Sequence, residues 1–144
     1  MTIAAILRDK GHDIISVSPT AKLTHIAVTL ADRKIGAVLV RDAADQLLGI
    51  VSERDIVRVF AREAVACQDM TAAQIMTRVL HTVTPSTTVD EALRLMTASR
   101  VRHLPVLADK KLVGMVSIGD VVKARLDQQA QEVDSLTAYV AGSV

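Results

Sequence analysis

Aromatic side chains are almost missing from this sequence: Phe60 and Tyr139 stand alone among 144 residues. Without ring platforms on which bases could stack, and with a formal net charge of only +1, nucleic acid is not expected as a main partner. No apolar run approaches the roughly 18 residues that a bilayer span requires, so no membrane association is expected. Cys67 is the one cysteine. That excludes a disulfide framework and points to a reducing, cytoplasmic setting. No activating partner stands near it, so it reads as an inert thiol. The opening MTIAAILRDKGHD turns charged at once and does not read as a secretory signal. No His/Cys/Asp/Glu cluster has metal-ligand spacing. There is no Walker-type glycine loop, no assembled Ser/His/Asp set and no carboxylate cluster for magnesium. No catalytic or metal-binding residue is assigned, and the chain is not expected to be an enzyme.

Aliphatic residues are plentiful, since half the chain is apolar. This length suits one compact domain, or two very small subdomains sharing a core. The clearest internal feature is a phrase that occurs twice. GIVSERDIV at 49–57 returns as GMVSIGDVV at 114–122, with five of nine letters identical and two further exchanges between apolar residues. The similarity extends outward. Pro19 aligns with Pro85 at an offset of 66, and Gly49 with Gly114 at 65. One residue is therefore lost between, in the polar turn where a deletion is tolerated.

Each copy, over 14–60 and 80–126, reads as β-α-β-β-α. A short alternating run, IISVS or LHTVT, ends at a proline. A helix follows, with its apolar face at Leu23, Ile26, Ala27 and Leu30, or at Val89, Ala92, Leu93 and Met96. Thr88 and Glu91 suggest a capping box. A strand pair comes next, GAVLV with LLGIV and HLPVL with LVGMV. Pro105 lacks an amide, so its strand must be an edge or be bonded only beyond the proline. The serine of the phrase opens the last helix. TIAAIL (2–7) and TAAQIM (71–76) echo each other as short leading helices. The division expected is 1–60 for repeat 1 with its leading helix, 61–76 for a linker or helix, 77–126 for repeat 2, and 127–144 for a C-terminal helical extension with an apolar stripe. The fold class expected is α/β of the α+β kind, with the two repeats packed sheet to sheet about a pseudo-two-fold axis.

Ser-x-x-Asp before an apolar run is a helix-capping signature, and one isolated copy would be no more than that. Here it occurs twice, each time after a strand. A helix start presents free amides suited to an anion, and a carboxylate suits the paired hydroxyls of a ribose. Asp55 and Asp120 are the candidate ligand residues, with Ser52 and Ser117.

Taken together, the strand before Pro19 and Pro85, the strands IGAVLV and VRHLPV, and the paired phrases resemble a tandem pair of CBS domains, a Bateman module, over about residues 1–126. The absence of an attached domain is similar to small stand-alone bacterial members. The resemblance implies adenosine-nucleotide sites in two clefts between the repeats, with Asp55 and Asp120 on ribose hydroxyls. It implies Ile35, Gly36, Ala37 and Val101 lining the adenine, with Ile15 and His81 as weaker candidates for its edge. Arg102 and His103 stand where family members carry a phosphate-reaching pair, and Arg54 is a further phosphate candidate. Because cationic residues are divided unevenly between the copies, two unequal sites are expected. AMP, ADP and ATP are the expected regulatory ligands, with NAD(H) and S-adenosylmethionine also compatible, and no cofactor is required. A homodimer and an unidentified regulated protein are the expected partners. The alternatives are a structural dimer with vestigial sites and, further off, a nucleotide-processing enzyme.

Overall fold

The computed structural model describes residues 1–142. Among them the elements run α1 (Ile3–Lys10), β1 (Ser16–Val17), α2 (Leu23–Arg33), β2 (Ala37–Arg41), β3 (Leu47–Ser52), α3 (Glu53–Glu63), a 3-10 turn (Ala64–Asp69), α4 (Ala72–Ile75), α5 (Val89–Ser99), β4 (His103–Ala108), β5 (Lys111–Ser117) and α6 (Ile118–Gly142). The class is mixed α+β, as the repeat pattern requires. The chain divides into two compact units, residues 14–80 and residues 1–13 together with those from 81 onward.

In the 14–80 unit, β1 pairs parallel with β2, and β2 antiparallel with β3, placing Ala37 opposite Ser52. Helix α2 buries Leu23, Ile26 and Leu30, the face that its periodicity marks. They join Val17, Val38, Val40 and Val51 in a core without aromatic side chains. In the other unit, β4 and β5 form an antiparallel pair with His103 opposite Ser117. Helix α5 buries Val89, Ala92 and Met96 beside Leu104, Val106 and Val116. Thr88 caps α5 by accepting the Glu91 amide at 3.1 Å, the first half of the expected capping box.

The two initial runs fare differently. IISVS forms β1, supported by the Leu39 amide donating to the Ile15 carbonyl at 3.1 Å. LHTVT is reduced to one parallel bridge, Val83 to Val106. The residue equivalent to Leu39 is Pro105, which has no amide to offer His81. The bridge is held by Val83 donating to the Pro105 carbonyl (3.0 Å) and Leu107 donating to Val83 (2.8 Å). That strand is thus bonded on this side only beyond its proline.

The leading helices do not sit where the sequence order suggests. Helix α1 packs in the unit built from the second repeat. Ile3 donates to the Thr87 carbonyl and Ala4 to that of Pro85, both at 2.9 Å, while Ile3, Ile6 and Leu7 enter that unit's core. Helix α4 joins the first repeat, with Ala72 donating to Ala21 (2.7 Å) and Ala73 to Pro19 (3.0 Å). The first amides of a helix have no partner within it and must find carbonyls elsewhere. In each unit the turn beginning at the proline supplies them. In packing, this exchange of leading helices joins residues 1–13 to the unit of the second repeat, and residues 61–76 fall within the 14–80 unit. The extension expected over 127–144 is the outer part of α6, continuous with the helix of the second phrase; residues 143–144 lie outside the described residues.

The exchange also explains the glycine of the phrase. A Cβ on Gly49 would lie 2.7 Å from Met76 Sδ and 2.8 Å from the Thr77 carbonyl oxygen. There residue 77 bridges to Ile50 through hydrogen bonds of 2.9 and 3.1 Å. A Cβ on Gly114 would meet only the Leu7 side chain, at 2.8 Å. Leu7 can rotate and a backbone carbonyl cannot. Gly49→Ala is therefore expected to cost about 1–3 kcal/mol, and Gly114→Ala clearly less. Urea unfolding of both variants measures the difference, and equal losses would contradict this geometry.

Candidate functional site

Each phrase runs off the end of a strand straight into a helix, and the local chemistry is reciprocal. Ser52 Oγ accepts the Asp55 amide (3.3 Å), while Asp55 Oδ2 accepts the Ser52 amide (2.8 Å) and its hydroxyl (3.0 Å). At the second phrase Ser117 Oγ accepts the Asp120 amide (3.2 Å) and Asp120 Oδ2 accepts the Ser117 amide (2.8 Å). Both carboxylates are thus turned toward their own main chain as caps. The next amide of each helix is also matched between units. Glu53 donates to the Gly36 carbonyl at 3.0 Å and Ile118 to the Arg102 carbonyl at 2.8 Å. With Ala37 opposite Ser52 and His103 opposite Ser117, the fold brings Gly36, Ala37, Ser52 and Asp55 together in one unit, and Arg102, His103, Ser117 and Asp120 in the other.

The residues just before these strands are placed by helix ends. Lys34 and Arg100 take left-handed conformations, φ 54° and 56°. They let Ile35 donate back to Leu30 and Val101 back to Met96, both at 3.1 Å, in the helix-ending arrangement where an apolar residue follows the cap. Ile35 and Val101 are half-buried against their own cores. Ile15 is likewise half-buried, its carbonyl accepting the Leu39 amide, and His81 Nδ1 lies 3.5 Å from Ser99 Oγ. Arg54 and Arg102 are exposed.

The two carboxylates differ in what else holds them. Asp55 is filled from within its unit. Oδ1 accepts the Thr77 hydroxyl at 3.0 Å and has Arg58 Nη1 at 3.8 Å, and its side chain is 9% exposed. The Asp120 side chain is 25% exposed. Its Oδ2 is shared between the Ser117 amide and Lys10 Nζ, which donates at 2.7 Å. Oδ1 accepts no hydrogen bond among the described residues. Burial pushes the Asp120 pKa up, but the Lys10 ammonium and the Ser117 amide and hydroxyl outweigh it, holding the carboxyl below its ordinary value of 3.8. Thr77 and Lys10 come from the leading segments, 22 and 110 residues from the aspartates they touch. No spacing rule marks either; only the exchange of leading segments brings them in. A cavity of about 260 Å³ opens beside Asp120, lined by Met1 and by residues of α1 and α6.

A model of the CBS domain matches residues 6–62 and again 72–127. The chain belongs to the CBS domain family. It is 40% identical over 118 residues to the mitochondrial CBS domain-containing protein CBSX3 of Arabidopsis thaliana, covering 79% of this chain and 57% of that protein. It is 32% identical over 112 residues to the uncharacterized protein MK0525 of Methanopyrus kandleri, covering 77% and 57%. The chain therefore spans somewhat over half the length of these curated relatives. Among solved structures, the CBS-domain containing protein ATU1752 from Agrobacterium tumefaciens is similar at TM-score 0.85 and 39% identity, covering 86% of this chain and 92% of that one. The CBS domain protein PAE2072 from Pyrobaculum aerophilum, complexed with AMP, is similar at TM-score 0.73 and 27% identity, covering 83% and 89%. Among the described residues no group of three or more His, Cys, Asp or Glu is placed to hold a metal ion, and no helix is long and apolar enough to cross a membrane.

Proposed function

We propose that the chain is a regulatory, non-catalytic module that binds an adenosine nucleotide through the carboxylate of Asp120. The observation that carries this reading is the open Oδ1 of Asp120 at the head of α6, beside a cavity. A ribose diol donates two hydrogen bonds, and a carboxylate edge with a free oxygen receives them. The AMP complex of the similar Pyrobaculum protein supports the ligand class, and AMP, ADP, ATP, NAD(H) and S-adenosylmethionine all carry such a diol. Ser117 stays on the helix amide. His103 and Arg102 stand across the strand pair from it, with Val101 beside them for the base. Asp55 has both oxygens engaged inside its own unit, so in this reading it is first a structural cap, and its site, with Ile15, Ile35, Gly36, Ala37 and Arg54, is the weaker one. The ligand biases the chain between packing states, and a separate regulated protein reads that bias. The lone buried cysteine fits a cytoplasmic setting.

A ligand that binds only the native state must stabilise it, by about 2.7 kcal/mol at a hundredfold excess over Kd. Thermal melting with the nucleotide panel is expected to show such a rise. Asp120→Ala should remove most of it. Asp55→Ala should lower the melting temperature without ligand and keep part of the rise. If none of the five compounds moves the melting temperature, the sites are vestigial and the module is structural.

The second part of the reading is self-association through α6. This helix leaves Val122, Leu126, Val133 and Leu136 exposed, at 41, 58, 62 and 64%. Their spacings of four, seven and three put them on one helical stripe. Sedimentation is expected to show a homodimer that Leu136→Glu weakens; a monomer at all concentrations would remove this part.

A further inference from the structure

The cavity beside Asp120 is lined by an unusual charge set: Lys10 and Asp9 from α1, and Asp120, Lys123 and Asp127 from α6. Lys10 is doubly engaged, donating to Asp120 Oδ2 at 2.7 Å and to the Met115 carbonyl at 2.8 Å. Its side chain is 38% exposed, so the head group can swing without unpacking the core. Lys123, one turn beyond Asp120, makes no hydrogen bond or ion pair among the described residues.

A diol that bridges the Asp120 carboxylate, one hydroxyl to each oxygen, displaces the Lys10 ammonium from Oδ2, whose two acceptor positions Lys10 and the Ser117 amide already fill. An ammonium that gives up a carboxylate keeps the Met115 carbonyl and solvent, but the partner that best replaces a carboxylate is another anion. A bound nucleotide brings such an anion in its own phosphate. With Asp120 given to the sugar, the remaining lining holds two cations, Lys10 and Lys123, against two anions, Asp9 and Asp127. One phosphate, carrying about −2 at neutral pH, is matched by the two lysines. Each further phosphate adds negative charge that no further lysine of the lining offsets, beside Asp9 and Asp127. The volume agrees: about 260 Å³ lies below the roughly 300 Å³ at which pockets for drug-sized ligands begin. A space of that size favours one phosphate over three.

We propose that Lys10 is the specificity-determining residue of the Asp120 site. It exchanges Asp120 for the ligand's phosphate, so the site selects a nucleoside monophosphate over both the free nucleoside and the triphosphate. This rests on the nucleotide-binding reading above, and the test separates the two. The full chain and its variants are titrated calorimetrically with adenosine, AMP and ATP, following the site that Asp120→Ala removes. Wild type is expected to bind AMP most tightly. Lys10→Met should weaken AMP at least about tenfold, the scale of one charge-assisted hydrogen bond, while adenosine holds or gains. Lys10→Arg should restore the preference, which a loss through misfolding would not allow. The double variant Asp9→Asn with Asp127→Asn should raise ATP relative to AMP. If Lys10→Met binds AMP with its advantage over adenosine unchanged, the inference is overturned and the nucleotide site stands. An unchanged ATP-to-AMP ratio in the double variant overturns the exclusion of triphosphates. If wild type binds none of the three, the reading beneath falls and the inference with it.

Discussion

Every helix begins with amides that its own turns cannot satisfy, and this fold is organised around supplying their acceptors. At the phrase helices a serine hydroxyl and an aspartate close a reciprocal cap, and the carbonyl of Gly36 or Arg102 takes the next amide. At the leading helices the carbonyls of Pro19 and Ala21, or of Pro85 and Thr87, do the same work. The cores are aliphatic and shape-tolerant. The hydrogen-bonded ends are not, and they bring the strand starts, the phrase serines and the aspartates to one place in each unit.

Duplication produces two such places, and the differences between them are small in sequence but large in chemistry. A threonine completes Asp55 from the adjoining strand bridge; a lysine reaches Asp120 from a helix 110 residues earlier in the chain. A neutral hydroxyl and a buried cap make a settled site. A partly exposed ammonium on a carboxylate whose other oxygen accepts no hydrogen bond among the described residues makes a less filled one. Pro105 adds to the asymmetry by cutting short the parallel pairing of the second repeat. Both units keep the same architecture while the partners of their aspartates diverge.

Much of this was legible in the chain itself. The apolar faces of α2 and α5 follow from their spacing, the strand pairs from their apolar runs, and the phrase helices from Ser-x-x-Asp. Gly36, Ala37, Arg102 and His103 fall beside the phrases because register across a strand pair is set by short turns. What could not be read is which leading helix serves which repeat. Periodicity marks an element and its buried face, but TIAAIL and TAAQIM present equivalent faces and either proline turn offers carbonyls. Lys10 and Thr77 depend on that exchange, so no local pattern points to them. The runs IISVS and LHTVT look alike, and only the pairing of Leu39 in one unit and Pro105 in the other separates a strand from a single bridge.

The central claim is that a cap built for a helix also receives the two hydroxyls of a nucleotide's sugar at Asp120. The most direct measurement compares the affinity of AMP with that of its 2′,3′-dideoxy counterpart, which keeps base and phosphate and lacks only the diol. Hydrogen bonds to a charged group are each worth about 1.5–3 kcal/mol. The account therefore predicts that removing both hydroxyls weakens binding by at least about a hundredfold. Equal affinity for the two compounds would contradict it.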